Sequence, residues 1–211
     1  MPSFIMFGLL RLLAVAPALT FHEFAHAYSA YKFGDMTPKM QHRISLNPLD
    51  HLDPIGALMI MFGPIGWAKP VMVNPYNFRD PAKHMMLSTA CGPLANILQG
   101  VVVGLVTRVL ILAGLEDHAN MHLLLVYLVL LTQINFGLAV FNLVPLGPLD
   151  GHEVLHYFLP YDQKVAYHRF NSRYGMVALL VLIFTDGINP LHPLNFVFGY
   201  AGKLAMAIIG I

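Results

Sequence analysis

The chain has 211 residues, of which 57% are hydrophobic and only 11% charged, with a formal net charge of +1. Water-soluble domains carry about 25% charged residues, and the mean hydropathy of +0.63 points the same way, so composition excludes a soluble domain and implies an integral membrane protein. A single cysteine, Cys91, excludes an internal disulfide and a cysteine-rich metal site.

Residues 3–31 form the first apolar segment, broken only by Arg11, His22, Glu23 and His26. It is too long for a signal peptide and lacks a small-residue cleavage site. Inside it, TFHEFAHAYSAYKFGD at 20–35 contains a His-Glu-x-x-His motif. A helix turns about 100° per residue, so His22 and His26 lie about 40° apart on one face and can reach one metal. Glu23 follows the first ligand and can act as the base on metal-activated water. A chance His-x-x-x-His pair in a chain with 11 histidines is the plainer alternative. Ionisable groups at membrane depth are costly and mark functional sites, which favours the metal.

Residues 54–68, PIGALMIMFGPIGWA, are apolar but short and rich in Pro and Gly, as a short helix or re-entrant piece would be. Trp67 suits an interfacial anchor. PVMVNP at 70–75 alternates Val71 and Val73, so a short β-hairpin or edge strand is expected within 66–78. An extended substrate could add to such an edge; a plain surface loop is the alternative. Residues 85–107 give a second span without a charge, and residues 121–146 a third. A shorter apolar run covers 174–185, and 191–211 reads as a further span marred by Pro193 and Lys203.

Basic residues set the orientation. Lys32, Lys39, Arg43, Lys69, Arg79 and Lys83 fall in 32–83, and Lys164, Arg169 and Arg173 in 151–173. The loop 114–120 has none, but has Glu116 and Asp117. The first two stretches are therefore expected in the cytoplasm, and the third and the N-terminus outside. His152, His156 and His168 fall in the second basic loop and read as solvated; His42, His51 and His84 form no usable pattern.

A catalytic zinc takes three protein ligands and keeps one open position. The third ligand must come from elsewhere, and Asp150 in NLVPLGPLDG is the only acid between Asp117 and Glu153. An ordinary Asp-Gly turn is the alternative. The charge map, however, brings Asp150 to the same inner side as His22 and His26. Asn142 and Asn96 are polar positions within spans, suited either to substrate or oxyanion contacts or to helix–helix hydrogen bonds.

HEFAHA followed by NLVPLGPLDG resembles the site-2 protease family of intramembrane zinc metalloproteases. RISLNPLDHLDPIG at 43–56, GWAKPVMVNPYNFRDP at 66–81 and GPLAN at 92–96 resemble its small prokaryotic branch. The resemblance covers roughly residues 15–160. It implies an all-α polytopic bundle with a three-helix catalytic core and about four to five spans, in the cytoplasmic membrane of a prokaryote. It implies one Zn2+ per chain held by His22, His26 and Asp150, with Glu23 as general base. The reaction implied is peptide-bond hydrolysis in or near a substrate's transmembrane segment. Asn142, Asn96, Val71 and Val73 are the expected substrate-side residues. The whole of 1–211 is expected to be one membrane-embedded domain, with its core at about 3–160, C-terminal helices at about 174–211 and no appended sensor domain. The expected partners are the bilayer and a transmembrane substrate, with no nucleic acid; the sequence does not set the oligomeric state. Three alternatives were weighed. A zinc-containing scaffold without activity has no use for Glu23. A metal transporter would spread polar residues along several spans. A zinc protease with glutamate as third ligand lacks a suitable Glu in a later span.

Overall fold

The computed structural model describes residues 2–62, 66–115, 118, 121–186 and 193–211. Its helices are α1 (Pro2–Phe33), α2 (Thr37–Met40), α3 (Pro54–Phe62), α4 (Pro81–Leu112), α5 (His122–Asn142), α6 (Asp150–Phe158), α7 (Tyr161–Phe170), α8 (Met176–Thr185) and α9 (Pro193–Ile209). A π-turn at Asn171–Gly175 joins α7 to α8. Three helices, α1, α4 and α5, are long and apolar enough to cross a membrane. They pack on one another, and α9 packs on α4 and α5.

Local chemistry sets the helix ends. The expected span at 85–107 begins earlier, at Pro81, because the Asp80 side chain accepts from Lys83 N–H (3.1 Å) and Pro81 fits the first helical position. The expected span at 121–146 stops at Asn142. Pro145 supplies no N–H, and the residue before a proline is pushed out of the helical region. The short helix expected in 54–68 is α3, and residues 63–65 lie outside the described residues. The run at 174–185 is α8 with the end of the π-turn before it. The run at 191–211 is α9, with 191 and 192 outside the described residues, as are Glu116 and Asp117.

The expected strand or hairpin at 66–78 does not form: among the described residues there is one isolated bridge, Leu52 to Ala68, and no strand. Side-chain alternation is present, with Val71 and Val73 half-buried and Met72 and Asn74 exposed. A ladder is prevented by what the backbone donors do. Pro70 and Pro75 have none. Val71 N–H donates to Glu23 Oε2 (3.2 Å) and Asn74 N–H to Asp35 Oδ2 (2.7 Å).

The bundle is apolar outside and polar within. Phe4, Phe7 and Leu13 on α1, Leu98 and Val109 on α4 and Leu123 on α5 are exposed. Thr20, His22, Asn96, Thr107, Thr132 and Asn135 are buried. Lipid-facing helices need this arrangement, because a polar group facing hydrocarbon without a partner costs several kcal/mol. Thr20, Thr107 and Thr132 each donate to the carbonyl four residues earlier in their own helix. Pro17 leaves the Leu13 carbonyl without its helical donor, and Tyr127 hydroxyl donates there instead (3.4 Å). Small buried residues, Ala14, Ala18, Ala27 and Ala30, let the spans approach closely.

Candidate metal centre

The His-Glu-x-x-His motif lies toward the C-terminal end of α1, which packs on α4, with the first turn of α6 beside it. His22 Nε2 and His26 Nε2 are 3.0 Å apart. Asp150 Oδ2 lies 3.2 Å from His22 Nε2, and Oδ1 lies 3.4 Å from His26 Nε2. One ligand atom from each residue falls within 4.8 Å of the others. His22 is buried, and His26 and Asp150 are half-buried.

The outer atoms of both imidazoles fix which nitrogen carries the proton. His22 Nδ1 lies 2.7 Å from Asn96 Oδ1. Asn96 Nδ2 donates to Ala18 O (2.9 Å) and to Asn135 Oδ1 (2.9 Å), so its oxygen must be the atom facing His22. Asn135 Nδ2 is in turn spent on Leu131 O (2.9 Å). His22 is therefore the N–H donor at Nδ1 and keeps a lone pair at Nε2. His26 Nδ1 donates to the Ser88 carbonyl (2.9 Å), with the same result. Two lone pairs and a carboxylate thus converge on one point. Asp150 Oδ2 is buried there and accepts no hydrogen bond. Three acceptors so close together repel unless a cation lies among them. Two neutral imidazoles and one carboxylate, each imidazole held from behind, are the ligands that zinc takes.

Space for the two rings comes from Gly92 on α4. A Cβ at that position would run into His26 Nε2 and His22 Cε1. Asp150 arrives by another route. It opens α6 after the turns at 143–149. Gly151 lets that first turn fold against α5, since a Cβ there would strike the Leu143 carbonyl. The 143–149 loop is held from the far side. Tyr167 hydroxyl donates to Pro145 O (2.8 Å), and Gly147 N–H donates to the buried Asn171 Oδ1 (2.8 Å).

A second network fixes the segment beside Glu23. Asp35 is fully buried just past α1. It accepts from Thr37 N–H (3.0 Å), Thr37 hydroxyl (2.6 Å), Asn77 Nδ2 (2.7 Å) and Asn74 N–H. Burial pushes its carboxyl up, but these donors outweigh burial and hold it below the ordinary value of 3.8. Buried Arg43 donates to the carbonyls of Asp50 and Lys69. Lys69 N–H donates to the carbonyl of buried His51 (2.7 Å). The extended residues 69–74 are thereby pinned across the C-terminal end of α1.

Each expected site residue can now be placed. His22, His26 and Asp150 converge. Glu23 is half-buried beside them on α1, bonded to Val71 N–H. Val71 and Val73 lie on the pinned segment. Asn96 sits behind His22, fully buried, rather than on a substrate face. Asn142 Nδ2 donates to Leu138 O (3.0 Å) in its own helix. Sequence reasoning passed over Asn135, Ser88, Gly92, Asp35, Tyr167 and Asn171. Asn135 carried a usable signal, as a polar residue inside a span seven positions before Asn142; the others depend on contacts between distant segments.

Comparison with known proteins gives the family. The model of peptidase family M50 matches residues 106–184. YwhC of Bacillus subtilis, named as a candidate zinc metalloprotease, is 39% identical over 170 residues, covering 80% of this chain and 77% of that protein. The chain belongs to peptidase family M50. This is the site-2 protease family that HEFAHA and NLVPLGPLDG resemble, and its enzyme class is that of a zinc metalloprotease. Rip2 of Mycolicibacterium smegmatis and Rip2 of Mycobacterium tuberculosis, both named in the same way, are 27% and 28% identical over 178 residues. In each case the match covers 82% of this chain and 65% of the relative. No solved structure matches the chain.

Proposed function

We propose that this M50 peptidase is an intramembrane endopeptidase that hydrolyses peptide bonds in or near the transmembrane segments of its substrates. His22, His26 and Asp150 hold one zinc ion, which supplies the Lewis acidity that makes water nucleophilic near neutral pH. The convergence of these three residues within 4.8 Å carries the proposal.

Glu23 takes the proton from the attacking water and returns it to the leaving amine. Its Oε2 accepts a single charge-assisted hydrogen bond from Val71 N–H (3.2 Å), a donor that an incoming substrate carbonyl can take over. Asn96 Oδ1 and the Ser88 carbonyl accept from Nδ1 of the two histidines and so aim both Nε2 atoms. Once Val71 N–H is released from Glu23 in this way, Val71 and Val73 present extended backbone to which a substrate segment pulled out of its helix can pair strand-to-strand. Such pairing matters because a helical peptide bond is shielded by its own hydrogen bonds. Asn142, the last residue of α5, is assigned to the same substrate segment as a further polar contact.

The basic stretches put the centre near the cytoplasmic side with the N-terminus outside. Water then enters from the cytoplasm, and α8 and α9 complete a bundle of four to five spans. Residues 1–211 act as one membrane-embedded domain. The test uses wild type and Glu23→Gln in liposomes with a transmembrane model substrate. Wild type should cleave, and both proteins should carry close to one zinc per chain. Equal cleavage by the variant would remove Glu23 from the chemistry, and zinc-loaded wild type that cleaves no transmembrane substrate would overturn the intramembrane reading.

A further inference from the structure

A second polar concentration lies away from the metal centre, where α6, α7 and the π-turn enclose a surface cavity of about 810 Å3. His156, Lys164, His168, Arg169, Ser172 and Arg173 line it, and no carboxylate does. Among the described residues no carboxylate forms an ion pair with its lysine or arginines. Among the described residues Arg169 makes no hydrogen bond or ion pair. Arg173 lies over the Tyr174 ring at 5.3 Å, and Lys164 reaches only the Tyr157 carbonyl (3.4 Å) and ring. Glu153, on the same helix as His156, is not part of the lining and lies 3.9 Å from His152. Three uncompensated cations around one cavity repel each other and favour a polyanion. Guanidinium groups match phosphate oxygens in pairs, and a hydroxyl such as that of Ser172 adds a donor.

The position within the fold narrows the anion to a lipid. Arg173 is followed within the same helix by Gly175 and then by apolar α8. Val177, Val181 and Phe184 on α8 are exposed. The cavity therefore sits where the chain passes from polar loop to hydrocarbon, with an apolar track running away from it. On the orientation proposed above it faces the cytoplasmic leaflet, which is the anionic one.

We propose that this cavity binds the phosphate headgroup of an anionic phospholipid, with the acyl chains along α8. The α7 and π-turn segments that line the cavity also carry Tyr167 and Asn171, which hold the loop that delivers Asp150. A bound lipid would thus steady the aspartate side of the metal centre.

The test is native mass spectrometry of the zinc-loaded full chain released from nanodiscs of phosphatidylcholine with or without phosphatidylglycerol. Wild type should retain one phosphatidylglycerol per chain and no phosphatidylcholine. Each lost arginine should weaken retention about fivefold, and R169Q/R173Q together about 25-fold. R169K/R173K should restore most of it, and Lys83→Gln, a basic-loop cation outside the cavity, should change nothing. If the double glutamine variant does not fold, R169Q and R173Q singly carry the test. Equal retention of both lipids, equal loss in Lys83→Gln, or displacement by millimolar inorganic phosphate would overturn the lipid site. Those outcomes with peptidase activity intact would leave the peptidase reading standing.

Discussion

The two halves of the metal centre are built differently. His22 and His26 sit in the middle of a long helix, locked between spans, and each Nδ1 is tied to a buried acceptor on α4. Asp150 stands at the first turn of a nine-residue helix, behind a loop fastened by two side chains from α7 and the π-turn. The histidine half is preorganised by the membrane bundle itself. The aspartate half is assembled from outside the bundle and can be loosened without disturbing the spans. Mutations should therefore harm the first half all-or-none and the second by degrees.

Gly92→Ala gives the strongest test of that contrast. The added methyl meets two rings that cannot move aside. A displacement of about 1 Å costs about 100-fold in rate, so peptidase activity should fall at least about 100-fold and zinc content with it, while helicity is kept. Wild-type zinc content in this variant would mean that α4 does not cradle the histidines. Next comes Asn96→Ala, which strands His22 Nδ1 and Asn135 Oδ1 without partners. Zinc affinity, measured by chelator competition, should drop about 10- to 100-fold, as is usual for the groups behind a ligand. Asn135→Ala acts one step further back and should cost less.

On the aspartate half, Asn171→Ala removes one hydrogen bond to the loop, worth about 1 kcal/mol. Zinc affinity should fall about fivefold, and Tyr167→Phe should do no more. A loss as large as that of Asn96→Ala would show that the two halves are equally rigid. The smallest effect on metal is expected from Asp35→Ala, which frees residues 69–77. It should lower kcat/KM severalfold while leaving zinc content unchanged. Because the folded Asp35 carboxyl is held below 3.8, its contribution is complete above that pH. It is lost as the pH falls through the lower folded value. Protection of the 69–77 backbone amides, taken relative to the intrinsic exchange rate at each pH, should thus hold at neutral pH and be lost only below 3.8.

Much of the histidine half was legible in the sequence because its signal is local: two ligands one helical turn apart and a base beside the first. Asp150 was legible because no other acid lies between Asp117 and Glu153 and because the charge map put its loop on the same side as His22 and His26. What was not legible depends on long-range approach. Gly92 matters only through rings 66 and 70 positions earlier in the chain. Asn96 offers the same amide to a substrate or to a histidine, and only the packing of α1 on α4 decides between them. The strand expected at 66–78 had the right alternation, but its donors were taken by two carboxylates of α1 and the turn after it. Period-two patterning reports burial; it does not report where the N–H groups go.

The most direct test of the central claim is zinc K-edge X-ray absorption on the purified full chain, compared with Asp150→Ala. Two imidazole nitrogens and carboxylate or water oxygen at about 2.0–2.1 Å are predicted in wild type, with the oxygen shell altered and zinc bound more weakly in the variant. A third imidazole, a sulfur at about 2.3 Å, or a spectrum unchanged by Asp150→Ala would contradict a centre made of His22, His26 and Asp150.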